Sequence, residues 1–196
     1  MKRLFDIVAS GVGLLVLSPL FAILAVWIKA DSRGPVFYRQ TRVGRNNKDF
    51  RLYKFRSMRP DSDKLGLITV GGRDPRVTRS GYYIRKYKID ELPQLINVFV
   101  GDMSLVGPRP EVRKYVDMYT PDQLHVLDVR PGITSLASIR YRNENDVLAA
   151  SDDPERCYIE RVMPDKLEID LEYVARAGLW SDIKLIFTTF KEIIVK

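Results

Sequence analysis

The sequence has one cysteine, Cys157, and one histidine, His125. A lone cysteine excludes an intramolecular disulfide and fits a reducing compartment. With no second cysteine or histidine, a zinc site of the usual kind is excluded. Both residues are read as structural. There is no Walker loop and no dinucleotide-binding glycine pattern. Internal repeats and low-complexity tracts are absent as well. Charge is missing from one long stretch, because no residue between Asp6 and Lys29 carries any. Elsewhere charge is abundant and unbalanced, with 32 Lys and Arg against 25 Asp and Glu, a net charge of +7. That balance favours anionic partners: nucleic acid, an acidic membrane surface or phosphorylated substrates. The 196 residues, 45% of them apolar, suffice for a single domain with a core of its own.

The uncharged stretch, residues 7–28, is long enough to cross a bilayer as a helix. Lys2 and Arg3 precede it; Lys29, Arg33, Arg39, Arg42 and Arg45 follow. Positive charge on both flanks gives a spanning helix no clear orientation. Ser18-Pro19 lies in mid-run, and Pro19 cannot donate to the Leu15 carbonyl. The Ser18 hydroxyl is placed to satisfy a freed backbone group. We expect a re-entrant helix–break–helix over residues 1–33, both basic flanks staying on one face. A straight spanning helix with a proline kink is the alternative. The length of the run and the lack of a small-x-small cleavage site argue against a signal peptide. A soluble core helix is disfavoured because every face is apolar.

Residues 34–196 are expected to form one catalytic body. Residues 36–55 read as a β-hairpin, with Gly44-Arg45-Asn46-Asn47 as turn. Residues 60–81 read as an irregular loop. A helix is predicted from about Tyr82 to Val100, closed by Gly101. Residues 111–119 and 121–128 read as helical, the second capped by Thr120 with Pro121 at its first position. Pro131-Gly132 reads as a turn, and residues 144–165 as a surface insertion. Residues 179–195 carry Leu179, Trp180, Ile183, Ile186, Phe187, Phe190, Ile193 and Ile194 at helical spacing. This amphipathic helix suits either a bilayer interface or the protein core.

The chemistry collects around residues 89–95, Ile-Asp-Glu-Leu-Pro-Gln-Leu. Asp90 and Glu91 are adjacent acids in a basic and apolar neighbourhood. One carboxylate can act as a nucleophile while the other meets a cation, which suits phosphoryl chemistry. On its own the pair reads equally as a solvated helix start. Basic residues recur at Lys54 and Arg56, at Arg85, at Arg109 between Pro108 and Pro110, and at Arg130 before Pro131-Gly132. Prolines on both sides stiffen the backbone around Arg109, and a rigidly held guanidinium suits bidentate phosphate binding. Nucleic acid is not expected as a partner: the basic residues match no DNA-reading helix, and aromatic interleaving is weak.

Five motifs follow in order: Lys-Phe-Arg-Ser-Met (54–58), Asp-Pro-Arg-Val-Thr-Arg (74–79), Ile-Asp-Glu-Leu-Pro-Gln-Leu (89–95), Gly-Asp-Met-Ser-Leu-Val-Gly-Pro-Arg-Pro (101–110) and Arg-Pro-Gly-Ile-Thr (130–134). With the Ser18-Pro19 segment they make the chain resemble, over nearly its whole length, the bacterial sugar transferases, the small monotopic phosphoglycosyl transferases. The resemblance implies a mostly α fold with a small β-hairpin element, a re-entrant membrane helix, and a helical cytoplasmic catalytic body with interfacial amphipathic helices. It implies transfer of a sugar-1-phosphate from a UDP-sugar to polyprenyl phosphate with release of UMP, at the bacterial inner membrane. By position, Asp90 would be the nucleophile of a covalent phosphosugar intermediate, and Glu91, with Asp90, would bind Mg²⁺. Arg109, in its Pro108-Arg109-Pro110 turn, would engage the nucleotide. Lys54, Arg56, Arg85 and Arg130 would bind phosphate, with Asp102 a possible support of the site. The chain departs from the family pattern at Ser135, where glycine is usual, which bears on the sugar pocket more than on the phosphoryl chemistry. The sugar and the oligomeric state stay open. The rival reading is a membrane-anchored basic adaptor without catalysis.

Overall fold

The computed structural model describes residues 1–62 and 74–194. Part of the loop expected over residues 60–81 lies outside them. The fold is mostly helical, with two small sheets.

The uncharged stretch forms one helix, α1 (Lys2–Asp31), long and apolar enough by length and composition to cross a membrane. It runs through Ser18-Pro19 without interruption, in place of the expected break. The Ser18 hydroxyl donates to the Leu15 carbonyl at 2.8 Å. That carbonyl is the one Pro19 cannot serve, so the helix absorbs its proline without an orphaned acceptor. One face of α1 packs on the body: Asp6, Ser10, Leu24 and Ile28 are buried. Leu4, Val8, Val12, Leu15, Ile23 and Val26 stay exposed on the opposite face.

Both ends of α1 are tied to the body. Lys2 Nζ donates to the Val106 carbonyl and the Tyr173 hydroxyl, each at 3.0 Å, and pairs with Asp182. Arg3 donates to the carbonyls of Val98 and Phe99, at 2.6 and 2.9 Å. The Asp6 carboxylate accepts the Leu105 N–H at 3.2 Å. At the far end, the Arg56 guanidinium donates to the carbonyls of Ile28, Ser32 and Arg33, capping the helix C-terminus with a buried cation. Gly34, at φ +127°, admits this cap, because a Cβ there would lie 2.1 Å from Arg56 Nη1.

The expected hairpin is present: β1 (Phe37–Val43) and β2 (Asp49–Phe55) pair antiparallel, with Phe37 opposite Phe55. Asn46 and Asn47, at φ 56° and 59°, make its turn, where asparagine tolerates the left-handed region. The single helix expected from Tyr82 to Val100 is instead two. After α2 (Arg79–Lys86), Lys88 turns left-handed at φ 56°, Ile89–Glu91 form a 3₁₀ turn, and α3 (Gln94–Val100) follows. Pro93 has no N–H for the Ile89 carbonyl, which takes the Leu92 N–H at 3.2 Å instead.

Asn97, fully buried in α3, binds the hairpin as a third strand would. Its Oδ1 accepts the Tyr53 N–H at 2.9 Å and its Nδ2 donates to the Arg51 carbonyl at 2.8 Å. Asp102 accepts from the same Nδ2 at 3.3 Å, which gives that acid a supporting place behind the amide.

A second sheet was not read from the sequence: β3 (Ser104–Val106) and β4 (Gly132–Thr134) pair in parallel. Pro131-Gly132 is therefore the entrance to a strand. Just past β3 the chain brings Gly107 against Gly132, where a Cβ on Gly132 would lie 2.1 Å from Gly107 N. Between the strands lie α4 (Arg113–Val116) and a 3₁₀ segment, Gln123–Asp128, both shorter than predicted. The Thr120 cap is present, its hydroxyl accepting the Gln123 N–H at 3.3 Å.

Residues 144–165, expected to be a surface insertion, are mostly exposed but helical, with a few side chains in the core. They form α6 (Glu144–Ala149), after α5 (Leu136–Arg140), then α7 (Pro154–Cys157) and a π-helical turn, Tyr158–Val162, leading into α8 (Met163–Arg176). Leu148, Tyr158, Val162 and Met163 join Val112, Tyr115, Val126 and Leu167 in one apolar core. The apolar residues among the acids are widely spaced, so no period announces a buried face. The last helix, α9 (Leu179–Ile194), packs one face on the body and leaves another exposed. Asp182 is buried against Lys2 and Tyr173, and Thr189 meets Thr134 at 2.7 Å. Trp180 and Phe187 are 83% and 70% exposed, on one face with exposed Lys184 and Lys191.

Asn97→Leu keeps the volume but strands the Tyr53 N–H and the Arg51 carbonyl. Each buried group left unpaired costs about 1–3 kcal/mol. The variant is expected to melt several degrees below the wild type in detergent; an unchanged melting temperature would refute the strand-like role of the amide.

Candidate active site

The 3₁₀ turn decides how the two acids divide. Three residues per turn set neighbouring side chains about 120° apart, so Asp90 and Glu91 face different surroundings. Glu91 meets cations on both oxygens. Arg109 Nη1 donates to Oε2 at 3.1 Å, Arg109 Nη2 donates to Oε1, and Lys54 Nζ donates to Oε1 at 3.1 Å. Burial would raise the Glu91 carboxyl, but the charges of Arg109 and Lys54 outweigh it and hold the group well below the usual range. Glu91 raises Arg109 in return. Burial lowers the Lys54 ammonium, and Glu91 opposes that shift.

Asp90 is the opposite case. It is 8% exposed, yet its carboxylate makes no hydrogen bond or ion pair among the described residues. Burial pushes its carboxyl above the ordinary aspartate range, against the nearby charges of Lys54, Arg85 and Lys88. Lys88 owes its position to its left-handed backbone, a conformation uncommon outside glycine and asparagine.

Asp90, Glu91, Lys54 and Arg109 are thus brought together, with Pro108 and Pro110 shaping the turn that presents Arg109. Arg85 sits close enough to favour the ionised form of both Asp90 and Asp74, without a hydrogen bond to either among the described residues. Two expected phosphate ligands lie elsewhere. Arg56 is consumed at the C-terminus of α1, where its guanidinium donates to the carbonyls of Ile28, Ser32 and Arg33. Arg130 donates through Nε to the Gly101 carbonyl at 2.8 Å, behind the end of α3.

The donor set bears on Mg²⁺ as well. Among the described residues no group of three or more His, Cys, Asp or Glu converges. Glu91 could meet a metal only in competition with Arg109 and Lys54, which donate to its oxygens. Asp90 fits: its oxygens are unpaired, and Mg²⁺ commonly binds through one or two carboxylates with substrate phosphates completing the shell.

Sequence reasoning missed Asp170 in α8. It is 5% exposed with Oδ1 unpartnered, and burial pushes its carboxyl up to about 6. Lys166, the Ser135 hydroxyl and the backbone N–H groups of Ala137 and Arg109 act against that rise. Ser135, the departure from the family pattern, therefore caps α5 and faces Asp170 beside the Arg109 turn. The available signal was an acid among Leu167, Ile169 and Tyr173, all core-facing.

Comparison with known proteins places this geometry in a family. The family model for the bacterial sugar transferases matches residues 1–196. The chain is 42% identical to a UDP-N-acetylgalactosamine-undecaprenyl-phosphate N-acetylgalactosaminephosphotransferase of Aeromonas hydrophila, over 98% of this chain and 43% of that protein. It is 39% identical to a UDP-glucose:undecaprenyl-phosphate glucose-1-phosphate transferase of Escherichia coli K12, over 100% of this chain and 41% of that one. The chain spans less than half the length of these two relatives. An exopolysaccharide production protein of Rhizobium leguminosarum is 39% identical and is covered over 92% of its length, with 96% of this chain matched. Full coverage by the family model, with relatives of this similarity, means that the chain belongs to the bacterial sugar transferase family.

Proposed function

We propose that this chain transfers a sugar-1-phosphate from a UDP-sugar to undecaprenyl or a related polyprenyl phosphate, releasing UMP, as a first membrane step of polysaccharide assembly. The observation that carries the reading is Asp90: a buried carboxylate with no partner among the described residues, beside an acid paired with two cations. A structural carboxylate buried to this degree is normally paired, so an unpaired one ringed by positive charge is a site for reaction with an anion. The names of the relatives support the donor and acceptor classes.

In this reading an Asp90 oxygen attacks the β-phosphorus of the UDP-sugar. The bond from that phosphorus to the bridging oxygen breaks, and UMP leaves with the oxygen and its electron pair. An oxygen of the polyprenyl phosphate then attacks the same phosphorus and returns Asp90 as a carboxylate. Splitting the transfer in this way predicts ping-pong kinetics. Lys54 and Arg85 lower the repulsion between the attacking carboxylate and the diphosphate, and Arg109, whose Nη1 and Nη2 face Glu91, offers its remaining donors to the nucleotide. Mg²⁺, met by Asp90 and Glu91 as the resemblance implies, would neutralise charge on the diphosphate.

The membrane enters through α1. Its two ends are bound to one body, and its exposed apolar face runs between them. A helix that crossed the bilayer would carry one of those ends away from the body. We therefore read α1 as embedded from the cytoplasmic face of the inner membrane, with residues 34–196 as the catalytic body. The acceptor phosphate is confined to the same surface, which replaces a three-dimensional search by proximity. The adaptor reading gives no reason for an unpaired buried acid.

Three outcomes are expected. Asp90→Asn should bind the membrane and remain folded but form no phosphosugar adduct, read as a mass increment on the protein incubated with UDP-sugars without acceptor; an adduct on the variant would refute the nucleophile. Activity should fall on the acid side through an apparent pKa above the ordinary aspartate value of about 3.9, since burial raises Asp90 and the carboxylate must be ionised to attack. A pH profile whose acid limb lies at or below that value contradicts the assignment. An N-terminal tag should react with an impermeant reagent in inverted vesicles and be silent in intact spheroplasts; the reverse would place the N-terminus across the membrane.

A further inference from the structure

The prolines of the Pro108-Arg109-Pro110 turn leave it a single N–H and three carbonyls, and most of these find partners. The Gly132 N–H donates to the Pro108 carbonyl at 2.9 Å. The Arg109 N–H faces Asp170. The Pro110 carbonyl accepts from Arg42 Nη1 at 3.1 Å. That same nitrogen donates to Glu111 Oε1 at 2.8 Å, so Arg42 grips the turn through two consecutive residues. Its Nε and Nη2 are anchored on Gln40 Oε1, at 3.1 and 2.8 Å. The Val43 N–H adds a bond to the Glu111 carbonyl at 2.8 Å, and the Tyr158 hydroxyl closes on Glu111 Oε2. Every nitrogen of the Arg42 guanidinium is engaged within the protein.

We infer that Arg42 is a positioning residue, fixing the Pro-Arg-Pro turn to the hairpin so that Arg109 reaches Glu91 and the nucleotide. The register supports this. Arg42 pairs with Phe50 and Lys54 with Tyr38, so by alternation Arg42 and Lys54 project from one face of the hairpin. Lys54 holds Glu91 directly, and Arg42 holds the turn whose arginine holds Glu91 from the other side. The hairpin thereby sets both cations on one carboxylate.

The inference rests on Arg109 as the nucleotide contact, and its test separates the two claims. Arg109 has the turn's only amide proton, so its hydrogen exchange, followed by NMR on the full chain in nanodiscs, reports the clamp without any ligand. In Arg42→Gln this amide should exchange about tenfold faster, while the amides of Val98 and Met103 keep their protection. Calorimetric titration with UDP should show binding weakened about tenfold by Arg42→Gln, and no further weakening when the change is added to Arg109→Lys, as expected for two residues acting through one contact. Unchanged exchange at Arg109, or losses that multiply, would overturn the inference. Arg42→Lys, which keeps the charge but lacks the fork, takes the place of Arg42→Gln if that variant does not fold, and the same two outcomes apply. If the wild type binds no UDP, the nucleotide role of Arg109 fails while the exchange result still decides the clamp.

Discussion

The Glu91 carboxylate, held between Arg109 and Lys54, is the interaction on which the rest of the site depends. It joins three segments that share no continuous secondary structure: the 3₁₀ turn before α3, the Pro-Arg-Pro turn after β3, and strand β2. Burying charges is expensive, and a buried ion pair repays that cost only when its geometry is kept. Much of the surrounding structure keeps it. Asn97 fixes the edge of β2 to α3, the parallel ladder of β3 and β4 delivers the turn, and β1 closes behind it. Removing one partner from such a cluster typically costs about 3–5 kcal/mol, because a charge is left buried alone.

The pairing of Glu91 also explains the state of Asp90. Two cations satisfied by one acid are less available to its neighbour, and the 3₁₀ geometry turns that neighbour away from them. Asp90 therefore feels Lys54 as a field rather than as a hydrogen bond. An acid stabilised by contact loses nucleophilicity, whereas one stabilised only by a surrounding field keeps its lone pairs free. In the proposed reading the site separates holding charge, at Glu91, from using charge, at Asp90.

The sequence carried some of this and hid the rest. The hairpin was legible because asparagines capable of left-handed turns sit between two aromatic-rich runs. The apolar length of α1 was legible from its lack of charge. Its continuity was not, because proline predicts a break and only the Ser18–Leu15 hydrogen bond shows how the freed carbonyl is served. The division at Lys88 was hidden, since nothing about lysine announces a left-handed backbone. Residues 144–165 look acidic and varied, and their buried Leu148, Tyr158 and Val162 have meaning only once α8 is in place. Among the basic residues, type and spacing could not separate Arg109 from Arg56. Both stand beside turn-forming residues, and tertiary structure alone tells which carbonyls or carboxylates lie within reach.

Arg56 shows why that distinction bears on function. Its guanidinium does at the end of α1 what Arg42 does at the Pro-Arg-Pro turn: it donates to backbone carbonyls. Lys2 and Arg3 act on the same principle at the other end of α1, again on carbonyls of the body. A good part of the chain's positive charge is thus spent inside the molecule, on acceptors left by helix ends and proline turns. The net basic balance therefore overstates the charge open to an external anion. What remains near Asp90 is Lys54, Arg85, Lys88 and Arg109, and of these Lys54 and Arg109 are already engaged with Glu91. In the proposed reading an arriving diphosphate would share those two cations with Glu91, so the firmness with which the hairpin and the Pro-Arg-Pro turn hold them would bear on its affinity.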